Sequence, residues 1–165
     1  MVPFAGFDMP VQYEGLTPEH HAVRNSVGMF DVSHMGQVIV RHADGYQGAG
    51  KAMETLVPVN LLDLGENRQR YGFFTNDDGG IMDDLMLANR GDHLFVVVNA
   101  ACKEADIAHM QAHLAGVCEV IPVTDRALLA LQGPKSEAAL ARLVPEVAEM
   151  TFMDVGVFGD SSDDY

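Results

Sequence analysis

Residues Tyr71 to Asn99, YGFFTNDDGGIMDDLMLANRGDHLFVVVN, restrict the fold more than any other stretch, because two tight turns join three β-like runs there. Asn76-Asp77-Asp78-Gly79-Gly80 and Asn89-Arg90-Gly91-Asp92 supply the Asn, Asp and Gly that tolerate the positive φ of hairpin turns. The pattern predicts antiparallel strands near 70–75, 81–88 and 93–99. At the centre sit two adjacent carboxylates, Asp83 and Asp84. Successive side chains on a strand point to opposite faces, so Asp84 shares a face with Met82 and Met86, and Asp83 shares the other with Leu85 and Leu87. Only one of the pair is then the working acid, and the reading turns Asp84 inward and Asp83 away. An ionised carboxylate buried without partners costs several kcal/mol, so the inward acid must be hydrogen-bonded, protonated or awaiting a ligand.

The flanking chain alternates helical and extended patterns. Residues 1 to 16, MVPFAGFDMPVQYEGL, carry Pro and Gly at short intervals and read as irregular, though apolar enough to pack against something. Thr17-Pro18-Glu19 reads as a helix start with Thr as N-cap, leading to a helix over about 18–27. Phe30 to Arg41 ends in Val38-Ile39-Val40, an uninterrupted apolar run of the kind buried on both faces of a sheet. Asp44 then caps a helix of about a dozen residues whose apolar face is Ala49, Met53, Leu56 and Val57. After the meander, Asn99 caps a helix to about Leu114, with Ala105 (or Asp106), Ile107, Met110 and Leu114 on its face. Glu119–Val123 and Arg126–Leu131 read as a second hairpin around Thr124-Asp125, and SEAALARL after Gly133-Pro134 as a helix ended before Pro145. Residues 159–165, with three acids, have the composition of a disordered or truncated tail. Helices mixed with antiparallel hairpins predict an α+β fold of mixed, largely antiparallel sheets with packed helices.

Charge and composition narrow the partners. With 165 residues and 48% hydrophobic content the chain can bury one core. A net charge of −14 repels phosphate backbones and anionic lipid heads, so neither nucleic acid nor membrane is an expected partner. Two cysteines, Cys102 and Cys118, form neither a disulfide framework nor a CxxC site, which suits a reducing, cytoplasmic setting.

The candidate chemistries reduce to the strand acid. His109 and His113 have metal-ligand spacing on a helix, but no HExxH glutamate or third ligand accompanies them, so a solvated helix face is expected and no metal. The runs DDGG and GYQGAG lack a Walker lysine and a GxGxxG arrangement, and turn chemistry accounts for them. Ser33 and His34 are strand neighbours facing opposite ways, not a nucleophile with its base. For Asp84 two readings stand: a carboxylate bonded to nearby backbone amides, or an acid in an apolar slot for a flat, nitrogen-rich ligand.

FAGFDMPVQY (4–13), FDVSHMGQ (30–37), FFTNDDGGIMDDL (73–85), VVNAACKEAD (97–106) and ALLALQGP (127–134) resemble, in order and spacing, the T-protein family of the glycine cleavage system, the aminomethyltransferases. The resemblance implies a partial aminomethyltransferase folate-binding domain over 1–158. It implies a tetrahydrofolate-dependent transfer of an aminomethyl group from the lipoyl arm of a partner H-protein, releasing ammonia and forming 5,10-methylenetetrahydrofolate. It places the family's acid, the second Asp of GGIxDDL, at Asp84, and the family's folate-lining residues at Met35, Tyr71, Val97 and Asn99. The alternative it leaves is a non-catalytic folate-binding or interaction module of the same fold. A third reading is a fragment with no ligand, its apolar edges seeking missing domains. The family is more than twice as long, and the SGYTGEDGYE-type block expected after FMDVGVFGD is replaced by SSDDY. The chain therefore reads as an amino-terminal fragment, inactive by itself, without the later Glu and Arg residues that grip the ligand.

Overall fold

The computed structural model describes residues 1–159, and contacts divide it into two compact units. Residues 35–126 with 153–155 make one; residues 1–34 and 127–152, with 156–159, make the other.

The first of these units is built on a five-stranded antiparallel sheet. Its strands are β4 (Gly36–Arg41), β5 (Gln69–Thr75), β6 (Ile81–Asn89), β7 (Leu94–Val98) and β8 (Glu119–Val123), in the order β5-β6-β7-β4-β8. The three-stranded meander predicted around the two Gly-containing turns is present as β5, β6 and β7. Two helices, α2 (Gly45–Met53) and α3 (Lys103–His113), supply Tyr46, Ala49, Met53 and Met110 to the core. Against them lie alternate residues of the strands: Val38 and Val40, Phe74, Leu85 and Leu87, Val96 and Val98. Val38, Ile39 and Val40 are all buried, as their uninterrupted apolar run predicts. Beyond α2 the chain packs Leu56, Val57, Leu61 and Leu64 into the same core, and Asn89 ties that connection to β6 by donating from Nδ2 to the Leu64 carbonyl at 2.7 Å.

The other unit carries β1 (Val2–Phe4), β2 (Phe7–Met9), α1 (Leu16–Asn25), β3 (Gly28–Asp31), β9 (Leu129–Gln132), α4 (Ser136–Leu140) and a 3₁₀ turn, Pro145–Glu149. β1 pairs with β2 and β3 with β9, both antiparallel.

Five readings change. The amino-terminal stretch is a hairpin, because Ala5 and Gly6 both take positive φ and close the turn between β1 and β2. Helix α1 begins at Leu16 with Gly15, not Thr17, at the N-cap, and Glu19 in the first turn reaches back to the preceding backbone. That carboxylate accepts N–H bonds from Tyr13, Glu14 and Gly15 at 2.6, 2.7 and 2.9 Å, which lower its pKa, those of Gly15 and Tyr13 most. Phe30 to Arg41 is two strands in different sheets, since β3 ends at Asp31, whose Oδ1 accepts the Ser33 N–H and turns the chain. The expected second hairpin does not exist: β8 joins β4, while β9 joins β3 in the other unit. Helix α2 has nine residues, with Leu56 and Val57 buried just beyond it. Of the predicted tail, residues 160–165 lie outside the described ones.

Gly133 shows how tightly the smaller pairing is closed. At φ +125°, a Cβ there would lie 2.5 Å from the carbonyl oxygens of both Val23 and Ser26, and Ser26 O accepts the Lys135 N–H at 3.0 Å. Gly79, at φ +79°, has open space where its Cβ would be. Gly133→Ala should therefore cost about 2 kcal/mol more than Gly79→Ala, which carries only a left-handed-backbone penalty of about 1 kcal/mol. Urea unfolding of the two variants followed by circular dichroism checks the difference, and equal midpoints would refute it.

Candidate functional site

The five residues singled out from the sequence fall on one face of the five-stranded sheet. Register fixes this: Tyr71 lies opposite Met86, Met86 opposite Val97, Val97 opposite Gln37, and Phe73 opposite Asp84. Tyr71, Asp84 and Val97 therefore share the face that does not carry Leu85, Leu87 and Val96. Met35 and Asn99 continue that face by the same alternation, one residue before β4 and one after β7. Tyr71 and Asp84 are exposed, and Met35, Phe73, Met86, Val97 and Asn99 are half-buried. The result is an apolar platform with a carboxylate at one end.

The inward acid is not the one expected. Asp84 is exposed, whereas Asp83 is half-buried on the core side, with its Oδ2 enclosed. The physical reason lies in the packing. Leu85 and Leu87 must face α2 and α3, and the two-residue period of β6 carries Asp83 to the same side.

A second correction concerns Asn99. It does not cap α3, whose N-cap is Cys102. Its Nδ2 instead donates to Asp83 Oδ1 at 3.2 Å, to Asp84 Oδ1 at 3.1 Å and to the Asp84 carbonyl at 3.1 Å. One amide thus links both carboxylates of the DD pair.

Behind Asp83 the structure adds two residues that were not selected from the sequence as site residues. Asp106, on the apolar face of α3, is 2% exposed and hydrogen-bonded to Asp83. Burial, then the hydrogen bond to Asp83, then its charge push the Asp106 carboxyl up to about 7. Cys102 sits beside the same group; burial first, then the charges of Asp83 and Asp106, push its thiol up. The signal for Asp106 was present in the chain: Asp106, Met110 and Leu114 recur every fourth residue, placing an acid in the buried stripe.

The histidine pair is less solvated than the sequence suggested. His113 is exposed, but His109 Nε2 is enclosed, its ring edge-on to Phe74 at 5.1 Å, and burial followed by the His113 charge lowers its pKa. Among the described residues, no group of three or more His, Cys, Asp or Glu side chains is arranged to hold a metal, and no helix is long and apolar enough to cross a membrane. A separate open cleft of about 670 Å³ belongs to the other unit and is lined by Met9, Tyr13, Met29, Phe30 and His34 among others. It contains none of the five predicted residues.

The model of the family described as the GCVT N-terminal domain matches residues 1–158. The chain belongs to that family. It is 40% identical over 164 residues to the mitochondrial aminomethyltransferase of Dictyostelium discoideum, covering 93% of this chain and 40% of the relative. It is 44% identical over 146 residues to the aminomethyltransferase of Rubrobacter xylanophilus, covering 87% and 38%. The fold is similar to a crystal structure of glycine cleavage system aminomethyltransferase T from Bartonella henselae. There the TM-score is 0.84 at 36% identity, over 93% of this chain and 42% of that one. The chain thus spans about two fifths of the length of the curated relatives it matches. The α+β architecture with largely antiparallel sheets is the family's own.

Asp106 makes stability depend on pH. Its pKa is raised in the fold, so the native state binds the extra proton, and the stabilisation is complete at low pH and lost as pH rises through about 7. Asp106→Asn keeps a donor toward Asp83 but removes the titration. It should flatten the fall of unfolding free energy between pH 3.8 and about 7 that the unaltered chain shows, as urea titrations across that range will read out.

Proposed function

We propose that this chain supplies the acid-bearing face of a tetrahydrofolate site for aminomethyl transfer. Asp84 is its acid, and Met35, Tyr71, Val97 and Asn99 are its walls. The observation that carries the reading is the common face. Four separate strands or strand ends bring an apolar surface and a carboxylate side by side, and Asn99 ties the carboxylate in place. Such a platform fits a flat ring with N–H groups, because the apolar residues take the ring face and the carboxylate accepts from the ring edge. The family-level likeness to aminomethyltransferases points to the same chemistry.

The reaction proposed is the transfer of an aminomethyl group from the lipoyl sulfur of an H-protein to tetrahydrofolate. The C–S and C–NH2 bonds break and two C–N bonds to the folate nitrogens form. The two protons lost from those nitrogens end on the departing ammonia and on the lipoyl thiol, so no oxidant or reductant is needed. Asp84 serves as hydrogen-bond acceptor or proton acceptor for a folate nitrogen, a role worth about 10²–10⁴-fold in rate when such a group is positioned. In this structure its carboxylate is exposed to water, so its electrostatic effect grows only as bound ligand excludes that water. Binding and catalysis are therefore coupled through one side chain.

Tetrahydrofolate titration followed by backbone NMR tests the site. Shifts should concentrate at Met35, Tyr71, Val97 and Asn99, and Asp84→Asn should weaken binding about tenfold, the loss of one charge-assisted hydrogen bond. Saturable shifts elsewhere, or equal affinity in the variant, would remove Asp84 from the site. Ammonia release from an aminomethyl-loaded H-protein separates transfer from binding alone.

A further inference from the structure

Two acids meet at the Asn99 amide and a third, Asp106, lies behind one of them; Asp83 and Asp106 each have an enclosed oxygen that no donor among the described residues reaches. Asp83 Oδ2 and Asp106 Oδ2 are both enclosed without a hydrogen-bond donor among the described residues, yet the two carboxyl groups are hydrogen-bonding neighbours. Two bare carboxylates are unfavourable in such a position, since both enclosed Oδ2 atoms would lack a donor and the two charges would repel each other. Asp106 is almost fully enclosed on α3, so water does not screen the pair from that side.

We propose that Asp83 and Asp106 hold one proton between them, and that the paired carboxyls fix the Asn99 amide against Asp84, making Asp83 and Asp106 positioning residues behind the ligand face. The proton satisfies both enclosed oxygens at once. Asp83 Oδ1 remains free to accept from Asn99 Nδ2, which then has its other contacts at Asp84. With the NH2 end spoken for by two carboxylates, the amide cannot turn over without placing its oxygen against them. Asn99 Oδ1 is consequently left as an acceptor at the ligand face.

The surroundings are consistent with a shared proton. Asp84 follows Asp83 on β6, and Cys102 and Lys103 precede Asp106 at the start of α3. His109 lies three residues beyond Asp106, its ring against Phe74, which is the register partner of Asp83. From β8, which packs on α3, the titratable residue is Glu119, which is exposed. Burial and the second carboxyl both favour the protonated form, in agreement with the raised pKa of Asp106.

The positioning role rests on the ligand face proposed above; the shared proton does not. Infrared spectroscopy of the complete chain reads the proton directly. A protonated-carboxyl band should be present near pH 6 and lost as pH passes about 7; it should be absent in Asp106→Asn and retained in Asp84→Asn. Side-chain NMR of Asn99 reads the positioning. Its NH2 signals should stay in place in Asp106→Asn, which preserves a donor to Asp83, and shift or broaden in Asp106→Leu. No band in the unaltered chain, a band that persists in Asp106→Asn, or Asn99 signals unmoved in a folded Asp106→Leu would each overturn the proposal. If Asp106→Leu does not fold, displaced Asn99 signals in Asp106→Asn would overturn it instead. Failure of tetrahydrofolate to bind while the band is present would remove the ligand reading and leave the proton pair standing.

Discussion

The pleat of β6 is the constraint from which the rest follows. Leu85 and Leu87 are buried in the core that α2 and α3 share, and the two-residue period fixes the facing of every other residue of the strand to theirs. The same alternation sends Met86 and Asp84 to the opposite face and carries Asp83 to the end of the core side. An acid at the rim of a core is unfavourable unless something answers it, and Asp106, Cys102 and Asn99 all gather there. A packing requirement on two leucines thus generates the polar cluster behind the candidate site.

That arrangement divides labour between the two carboxylates of the DD pair. In the proposed site the exposed one meets the ligand, while the half-buried one neighbours Asp106 on α3 and accepts from the Asn99 amide. A ligand-facing carboxylate needs a fixed direction more than it needs burial, because its hydrogen bonds weaken steeply as their angle departs from linear. Asn99 provides that direction by reaching both acids at about the same distance.

How far the chain could be read in advance varied with the range of the interactions involved. The meander was legible because its turn residues and its alternation are local, and β5, β6 and β7 fall within a few residues of their expected bounds. The apolar stripe of α3 was legible for the same reason. The second hairpin was not: Thr124-Asp125 looks like a turn, but the partners of the flanking strands lie far back in the chain, β4 about eighty residues before β8 and β3 about a hundred before β9. Nor was the role of Asn99. Its position before a helix suggests a cap, and only the approach of β6 offers its amide a better pair of acceptors.

The sequence by itself determined the period of each element, the turns between the meander strands and the membership of each face, because these depend on neighbours within a few residues. Tertiary structure decided which face of β6 would be covered. A two-residue period defines two faces without ranking them, and the ranking came from where α2 and α3 pack. For that reason Asp84 could be grouped with Met82 and Met86 from the chain alone, whereas Tyr71 and Val97 joined that surface only through the register of β5 and β7 on β6. That Asp83 and not Asp84 would be the enclosed acid, and that Asp106 would come to meet it, required a helix to be laid against the sheet.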